Sequence, residues 1–516
     1  MTADVEAPEY PTTHAARAPD RAAVVDARTD ATLTYRALEA RSRAVAHRLW
    51  EIGLRPGQHV ALAVANRLEF YEFCWAAHRI GLYYTAVNTH LTAREARHVV
   101  TDCGAEALLL DDALPELVDA LADLPEVRLR LLLGHARPGH EPYEEVAAAG
   151  TGPLPHEGEG EKMLYTSGTT GTPKGVARPL TDGPPGSVFL IRPLMRRMGF
   201  DGSSVLVNPG PLYHSAPLGY GMGMHRLGGT VVIGGRFDAG QCLAAMERHR
   251  ATHGLFVPTM FSRMLALEGH ERYDVSSLVT AAHGAAPCPV GVKQAMIDWW
   301  GPKIVEYYAG TEGAGMTLID SADWLAHPGS VGRPVAGAVH VVDQVSGDQL
   351  GPGETGAVYF SGGSAFRYHG DDAKTADAYD HRGWNTLGDI GHLDADGYLY
   401  LTDRASFTVI SGGVNIYPRE AENVLAEHPA VGDVAAFGVP DDDLGEVLVA
   451  VVETTEPVTA EALDAWCAER LTRQKCPRRI AFTERLPRTE AGKLATRQVR
   501  DDYLGALRAC EHQLTL

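Results

Sequence analysis

The chain has 516 residues and a formal net charge of −20, too long for one core and too acidic for a nucleic-acid or anionic-membrane surface. Seven Cys, at 74, 103, 242, 288, 467, 476 and 510, form no Cys-x-x-Cys pair, as expected of reduced, mostly buried thiols and no zinc site. The stretch from Met1 to Glu9 has no basic cluster leading into an apolar run, and nothing approaches the ~18 apolar residues of a span, so a cytoplasmic protein is expected.

From Thr34 to Gly53 the residues Leu38, Val45, Leu49 and Ile52 recur at helical spacing, with Thr34 as cap and Gly53 as terminator. His59–Ala65 has the length and apolarity of a strand, and Leu68–Ile80 reads as the next helix. The alternation continues through Ala107–Leu110 and Val231–Ile233, predicting an α/β architecture with buried sheets. Gly134–Gly160, rich in Gly, Pro, His and Glu, reads as a surface connection.

That connection leads into Leu164-Tyr-Thr-Ser-Gly-Thr-Thr-Gly-Thr-Pro-Lys-Gly-Val176. The hydroxyls of Thr166, Ser167, Thr169 and Thr170, the backbone freedom of Gly168 and Gly171, and the charge of Lys174 suit a loop that wraps phosphate oxygens. It is no Walker P-loop, because Lys174 is followed by Gly175 and not by Ser or Thr. Further on, Gly219, Gly221 and Gly223 alternate with Tyr220, Met222 and Met224. This pattern either clears one face for a long tail or flat ring, or lets a helix or strand pack closely on its neighbour.

Glu306-Tyr-Tyr-Ala-Gly-Thr-Glu-Gly313 sets an aromatic beside small residues, then Thr311 and Glu312. Such a set can stack a base, touch a phosphate and hold Mg²⁺; otherwise it is a strand ending in a turn. After Ala338, Val339–Val342, Gly356–Ser361 and Tyr398–Thr402 read as short strands of a small β-barrel or distorted sheet, with Asp394–Gly397 as a hairpin turn. Asp389, in Trp384-Asn-Thr-Leu-Gly-Asp389, offers the carboxylate that two vicinal ribose hydroxyls can share. Beyond Arg404 the pattern gives a Gly-rich loop at Ser411–Gly413, a helix Arg419–Glu427, strands Val431–Val439 and Val447–Glu453, a capped helix Thr459–Leu471, and a final strand and tail. Lys493 ends Leu486-Pro-Arg-Thr-Glu-Ala-Gly-Lys493.

In this order the runs at 164–176, 306–313, 384–389 with Arg404, 410–418 and 486–493 resemble the signature motifs of the adenylate-forming superfamily: acyl- and aryl-CoA synthetases, luciferases and peptide-synthetase adenylation domains. The local text looks most like bacterial acyl-CoA synthetases. The resemblance implies an α/β fold: a large N-terminal domain, residues 1–404, of two α/β subdomains plus a β-barrel, and a small mobile α+β C-terminal domain, residues 405–516. It implies ATP, Mg²⁺ and CoA, with phosphates on Thr166–Lys174, adenine against Gly284, Ala285, Ala286 and Tyr308, ribose on Asp389 and Arg404, Mg²⁺ at Glu312, and Thr311 at the α-phosphate or substrate carboxylate. Lys493 then matches the adenylation lysine, a cation aimed at oxyanions whose charge grows in the transition state. Ser406 stands at the hinge and Gly412 and Gly413 on the loop that lines the CoA channel. A homodimer follows from family habit.

The chain departs from the family pattern at Leu387, where a Thr is usual, and at Ser406, where Asp or Lys is frequent. The acyl pocket is expected around Tyr213, His214, Gly219, Gly221 and Gly310. Amino-acid-activating relatives commonly place Asp at the His214 position, so an α-amino acid is not expected. A fatty, aryl or cinnamic acid remains open. So do other acceptors: a carrier protein in place of CoA, or nitrite activation for diazotisation of an aromatic amine. A non-catalytic nucleotide- or acyl-binding protein is a further alternative, against which Glu312 and Lys493 both stand.

Overall fold

A computed structural model describes residues 9–150, 152–166, 173–187, 189–404, 409–411, 414–441, 444–488 and 494–513. Two sheets dominate. One has six parallel strands in the spatial order 141–142, 129–133, 105–111, 59–63, 83–86 and 161–162. The other has nine, with a parallel centre of 22–26, 230–233, 205–208, 253–256, 280–283 and 304–309 and antiparallel edges. The central strands are mostly apolar because both faces are covered, with Asn208, His253, His283 and Glu306 among the buried polar exceptions.

Helices Tyr35–Glu51, Leu68–Arg79 and Ser215–Leu227 fill the layer between the two sheets, and their side chains form one core with residues of both. Trp75, Tyr71 and Leu49 are fully buried there, each contributing roughly 2 kcal/mol of burial. A second core lies on the far face of the larger sheet and a third on the far face of the smaller one. The result is an α/β/α/β/α stack. The first long helix begins where the spacing predicts: Thr34 accepts from the Ala37 N–H at 3.2 Å, a side-chain cap for the first turn.

The β-barrel expected after Ala338 is a four-stranded antiparallel half-barrel sheet of 338–342, 356–361, 385–393 and 399–404. Its 394–397 turn is closed by the Asp394 N–H donating to the Tyr398 carbonyl at 2.9 Å. A smaller C-terminal domain follows around a five-stranded sheet, with helices Pro418–Ala426 and Ala460–Ala468 on it.

Two segments differ from expectation. The connection 134–160 is not wholly at the surface: it adds a strand, Glu141–Pro142, and a helix, Tyr143–Ala147, and buries Tyr143 completely, its hydroxyl donating to Glu72 at 2.9 Å. The tail after the last strand is a helix, Thr496–Gln513, whose Val499, Tyr503 and Leu504 pack against Phe437 and Val439 of strand 431–441.

Candidate active site

The carboxyl ends of parallel strands from both sheets open into one cleft of about 4010 Å³. Residues just beyond those ends line it: Val64–Asn66, Pro209–Pro211, Gly235–Phe237, Val257–Met260 and Ala285–Pro289. Open parallel sheets bind ligands at this edge. The half-barrel adds Thr386–Asp389, and the C-terminal domain adds Asp433, Glu453 and Arg488.

Strand Ile304–Ala309 carries Tyr308 to the cleft, and the half-barrel strand 385–393 carries Asp389 opposite it. The Tyr308 hydroxyl donates to Asp389 Oδ2 at 2.5 Å. Asp389 is buried and pairs across the strand ladder with Arg404. Beside them Ala285 holds a left-handed backbone, φ 67°, unusual for a residue with a Cβ. A Cβ on Gly284 would fall 2.6 Å from the Tyr307 carbonyl oxygen, so this position needs Gly for close approach. Ala285 and Ala286 face the cleft; Gly284 is packed behind them.

The run 164–176 forms two antiparallel arms, 164–166 and 174–177, with Thr166 opposite Lys174. Its tip, from Ser167 through Gly168, Thr169, Thr170 and Gly171, lies outside the described residues, as do Ser406, Gly412, Gly413 and Lys493. Leu486–Arg488 and Leu494–Ala495, which flank the Lys493 segment, border the cleft. Strand Arg367–Tyr368 completes this small sheet. From it the Tyr368 hydroxyl donates to Glu312 Oε1 at 3.1 Å. Lys174 is ion-paired to Asp371 at 2.7 Å, whose carboxyl that hydrogen bond holds below the usual range. Lys374 sits 4.5 Å over the Tyr368 ring; desolvation, then repulsion from Lys174, lowers its pKa.

Glu312, half-buried with Thr311 at the cleft wall, offers one hard carboxylate. That suffices for Mg²⁺, which takes few protein oxygens and completes its octahedron with water and phosphate.

Tyr213 and His214 face the cleft, their rings 4.5 Å apart, just before helix Ser215–Leu227. In the helix Gly219 and Gly223 share a face one turn apart, and Gly221 points away from it. Gly219 lines the cleft, and a Cβ there would lie 2.9 Å from Lys162 Nζ. A Cβ on Gly221 would lie 2.0 Å from the buried Tyr71 hydroxyl, and Gly221 is not at the cleft wall. Gly219 makes room for an ammonium, Gly221 for a phenol and Gly223 for the Met195 thioether. Gly310 is hemmed by Leu387 and Glu312. Sequence reasoning missed Lys162, Arg178, Tyr368 and Asp371, all near these motifs. For Lys162 the signal was a lone cation at the start of an apolar strand run, Glu161-Lys-Met-Leu-Tyr165.

Among the described residues no helix is long and apolar enough to cross a membrane. The AMP-binding enzyme family matches residues 12–368, and the AMP-binding enzyme C-terminal domain matches 420–493. The chain is similar to a feruloyl-CoA synthase of an Amycolatopsis species, 34% identical over 91% of this chain and 93% of that one. It is similar to a long-chain-fatty-acid–CoA ligase of Mycobacterium tuberculosis, 30% identical over 93% of this chain and 95% of the relative. The o-succinylbenzoate CoA synthetase of Bacillus subtilis, solved with its acyl-adenylate intermediate, superposes with a TM-score of 0.80 at 26% identity, covering 96% of this chain and 98% of that one. With described residues of three of those motif runs, 306–313, 384–389 and 486–493, lining the cleft, the chain belongs to the AMP-binding enzymes of the adenylate-forming superfamily, near the bacterial acyl-CoA synthetases.

Proposed function

We propose that the protein activates a carboxylic acid with ATP and transfers the acyl group to CoA. One acid oxygen attacks the α-phosphorus, the bond from α-phosphorus to the bridging oxygen breaks, and pyrophosphate leaves. The CoA sulfur then attacks the acyl carbon of the adenylate, the carbon–oxygen bond to AMP breaks, and a thioester and AMP are released. Positioning and charge stabilisation carry such a reaction, with little covalent work for the protein.

The observation that carries this reading is the meeting of Tyr308 and Asp389 at the carboxyl ends of the parallel strands. An aromatic ring beside a buried carboxylate suits a nucleoside, with the ribose hydroxyls donating to Asp389. Ala285 and Ala286 border the same edge. Mg²⁺ at Glu312 supplies charge neutralisation of the phosphates, and Thr311 beside it contacts the α-phosphate or the acid. Lys493 contributes the cation of the adenylation step. Residues 405–516 act as a separate domain that turns about Ser406 and brings Gly412 and Gly413 to the pantetheine channel. The acid is apolar over most of its length, fatty, aryl or cinnamic, since Tyr213, Leu194 and Tyr307 line the cleft.

Pyrophosphate release from ATP is to be measured across fatty, aryl and cinnamic acids, with and without CoA, and with nitrite plus aminoaryl acids. Acid-dependent release ending in a thioester supports the proposal. Release without thioester removes CoA as acceptor and points to a carrier protein or, in the nitrite arm, to diazotisation. Lys493→Ala is expected to abolish adenylation, about a thousandfold, while ATP still binds; turnover unchanged in that variant overturns the role given to Lys493.

A further inference from the structure

Lys162 is a cation in a place built for apolar side chains. It occupies the short edge strand Glu161–Lys162, paired in parallel with Tyr83–Tyr84, and its ammonium lies against Gly219 of helix Ser215–Leu227. Fully buried Cys74 is among its neighbours. Among the described residues its Nζ has no hydrogen bond and no ion pair. The adjacent carboxylate does not reach it: Glu161 turns back, and its Oε1 accepts from the Lys162 backbone N–H at 3.0 Å. Arg178 adds a second positive charge nearby, and both side chains line the main cleft and a small adjoining void beside Thr311. Burial, opposed by Glu161 and reinforced by Arg178, lowers the Lys162 pKa.

A half-buried ammonium with no partner on the cleft wall becomes expensive once a bound substrate displaces its water, unless something negative meets it. Its surroundings are the wall of the acyl pocket: Gly219 stands one turn into the helix that Tyr213 and His214 introduce. We propose that Lys162, with Arg178 nearby, selects an acid bearing a second carboxylate, a dicarboxylic or carboxyaryl acid. The inference rests on the acid-activating reading above and narrows its substrate class. Gly219 is glycine because a side chain there would push the ammonium out of the pocket.

The test compares dicarboxylic acids of increasing length and carboxycinnamic acids with their monomethyl esters, which keep the shape and lose one charge. For wild type, kcat/KM for pyrophosphate release is expected to favour the diacid by about tenfold or more. Lys162→Met should erase that preference through KM for the diacid and leave the ester unchanged, and Lys162→Arg should restore it. A wild-type preference for the ester overturns the proposal, as does an equal loss on every acid in Lys162→Met, which would put Lys162 at the reacting carboxylate. Thermal shift of the wild type gives a second readout: diacid raises the melting temperature and ester does not, and equal shifts overturn the assignment. If no acid releases pyrophosphate yet the diacid alone stabilises the fold, the acid-activating reading falls and the Lys162 subsite stands.

Discussion

Tyr308 and Asp389, 81 residues apart in the chain, meet through a hydrogen bond of 2.5 Å at the mouth of the cleft. One lies near the end of a strand of the nine-stranded sheet and the other stands in the half-barrel, so the contact ties two sheets together beside the cleft. Asp389→Ala is expected to lower kcat/KM for ATP about a hundredfold, the loss of two charge-assisted hydrogen bonds to ribose. Tyr308→Phe keeps the ring and should cost only a few-fold. Pyrophosphate release at varied ATP distinguishes the two; equal losses would make the pair structural.

Lys174 is held by Asp371 at the foot of the phosphate-loop arm. The same ammonium is the loop's one cation between residues 164 and 176, so carboxylate and phosphate compete for it. Lys174→Ala should raise KM for ATP about tenfold, whereas Asp371→Asn, which removes the competitor, should leave it within about threefold or lower it. An Asp371→Asn enzyme as impaired as Lys174→Ala would show that the ion pair itself is needed.

Gly221 and Gly219 should respond differently to the same methyl group. In Gly221→Ala the Cβ meets the rigid, buried Tyr71 hydroxyl at 2.0 Å, and stability should drop by roughly 1–3 kcal/mol. In Gly219→Ala it meets the movable end of Lys162 at 2.9 Å. The denaturation midpoint should then hold, and only the acid preference should change. Urea unfolding of both variants checks this.

Glu39 links stability to pH. Burial alone would raise its pKa, but hydrogen bonds and charge from Arg79 and Arg43 hold it at about 2 against an ordinary 4.5. Arg79 is fully buried and lies 2.7 Å from it. A folded pKa below the unfolded one stabilises the fold above pH 4.5, and that share is lost as pH falls toward 2; the shift corresponds to about 3 kcal/mol. Glu39→Gln should therefore be clearly less stable than wild type at pH 7, with the gap closing by about 2 kcal/mol between pH 5 and pH 3 and the remainder as pH falls through 2. A gap independent of pH would mean that packing, not charge, is responsible.

The chemistry of single positions was legible without a fold. Thr34 caps its helix and Gly397 closes its turn because hydroxyl placement and backbone freedom are local properties. The motif runs around Glu312 and Asp389 are also legible as residue patterns, since each is a contiguous stretch of sequence. Period-two alternation at Gly219–Met224 left a cleared face and close packing both open; the helix turns Gly221 away from Gly219 and Gly223, and only packing against Tyr71, Met195 and Lys162 shows what each glycine makes room for. Helix Thr496–Gln513 escaped because its apolar residues are few and become a face only against Phe437 and Val439.

The sequence by itself determined the family, because its motif runs are residue types at short range. Tertiary structure decided which of the motif residues meet and what the cleft presents. Tyr308 reaches Asp389, Tyr368 reaches Glu312 and Lys162 reaches Gly219 across separations of 81, 56 and 57 residues. Contacts at that range are set by how the sheets stack around a shared core, and no periodicity along the chain encodes them.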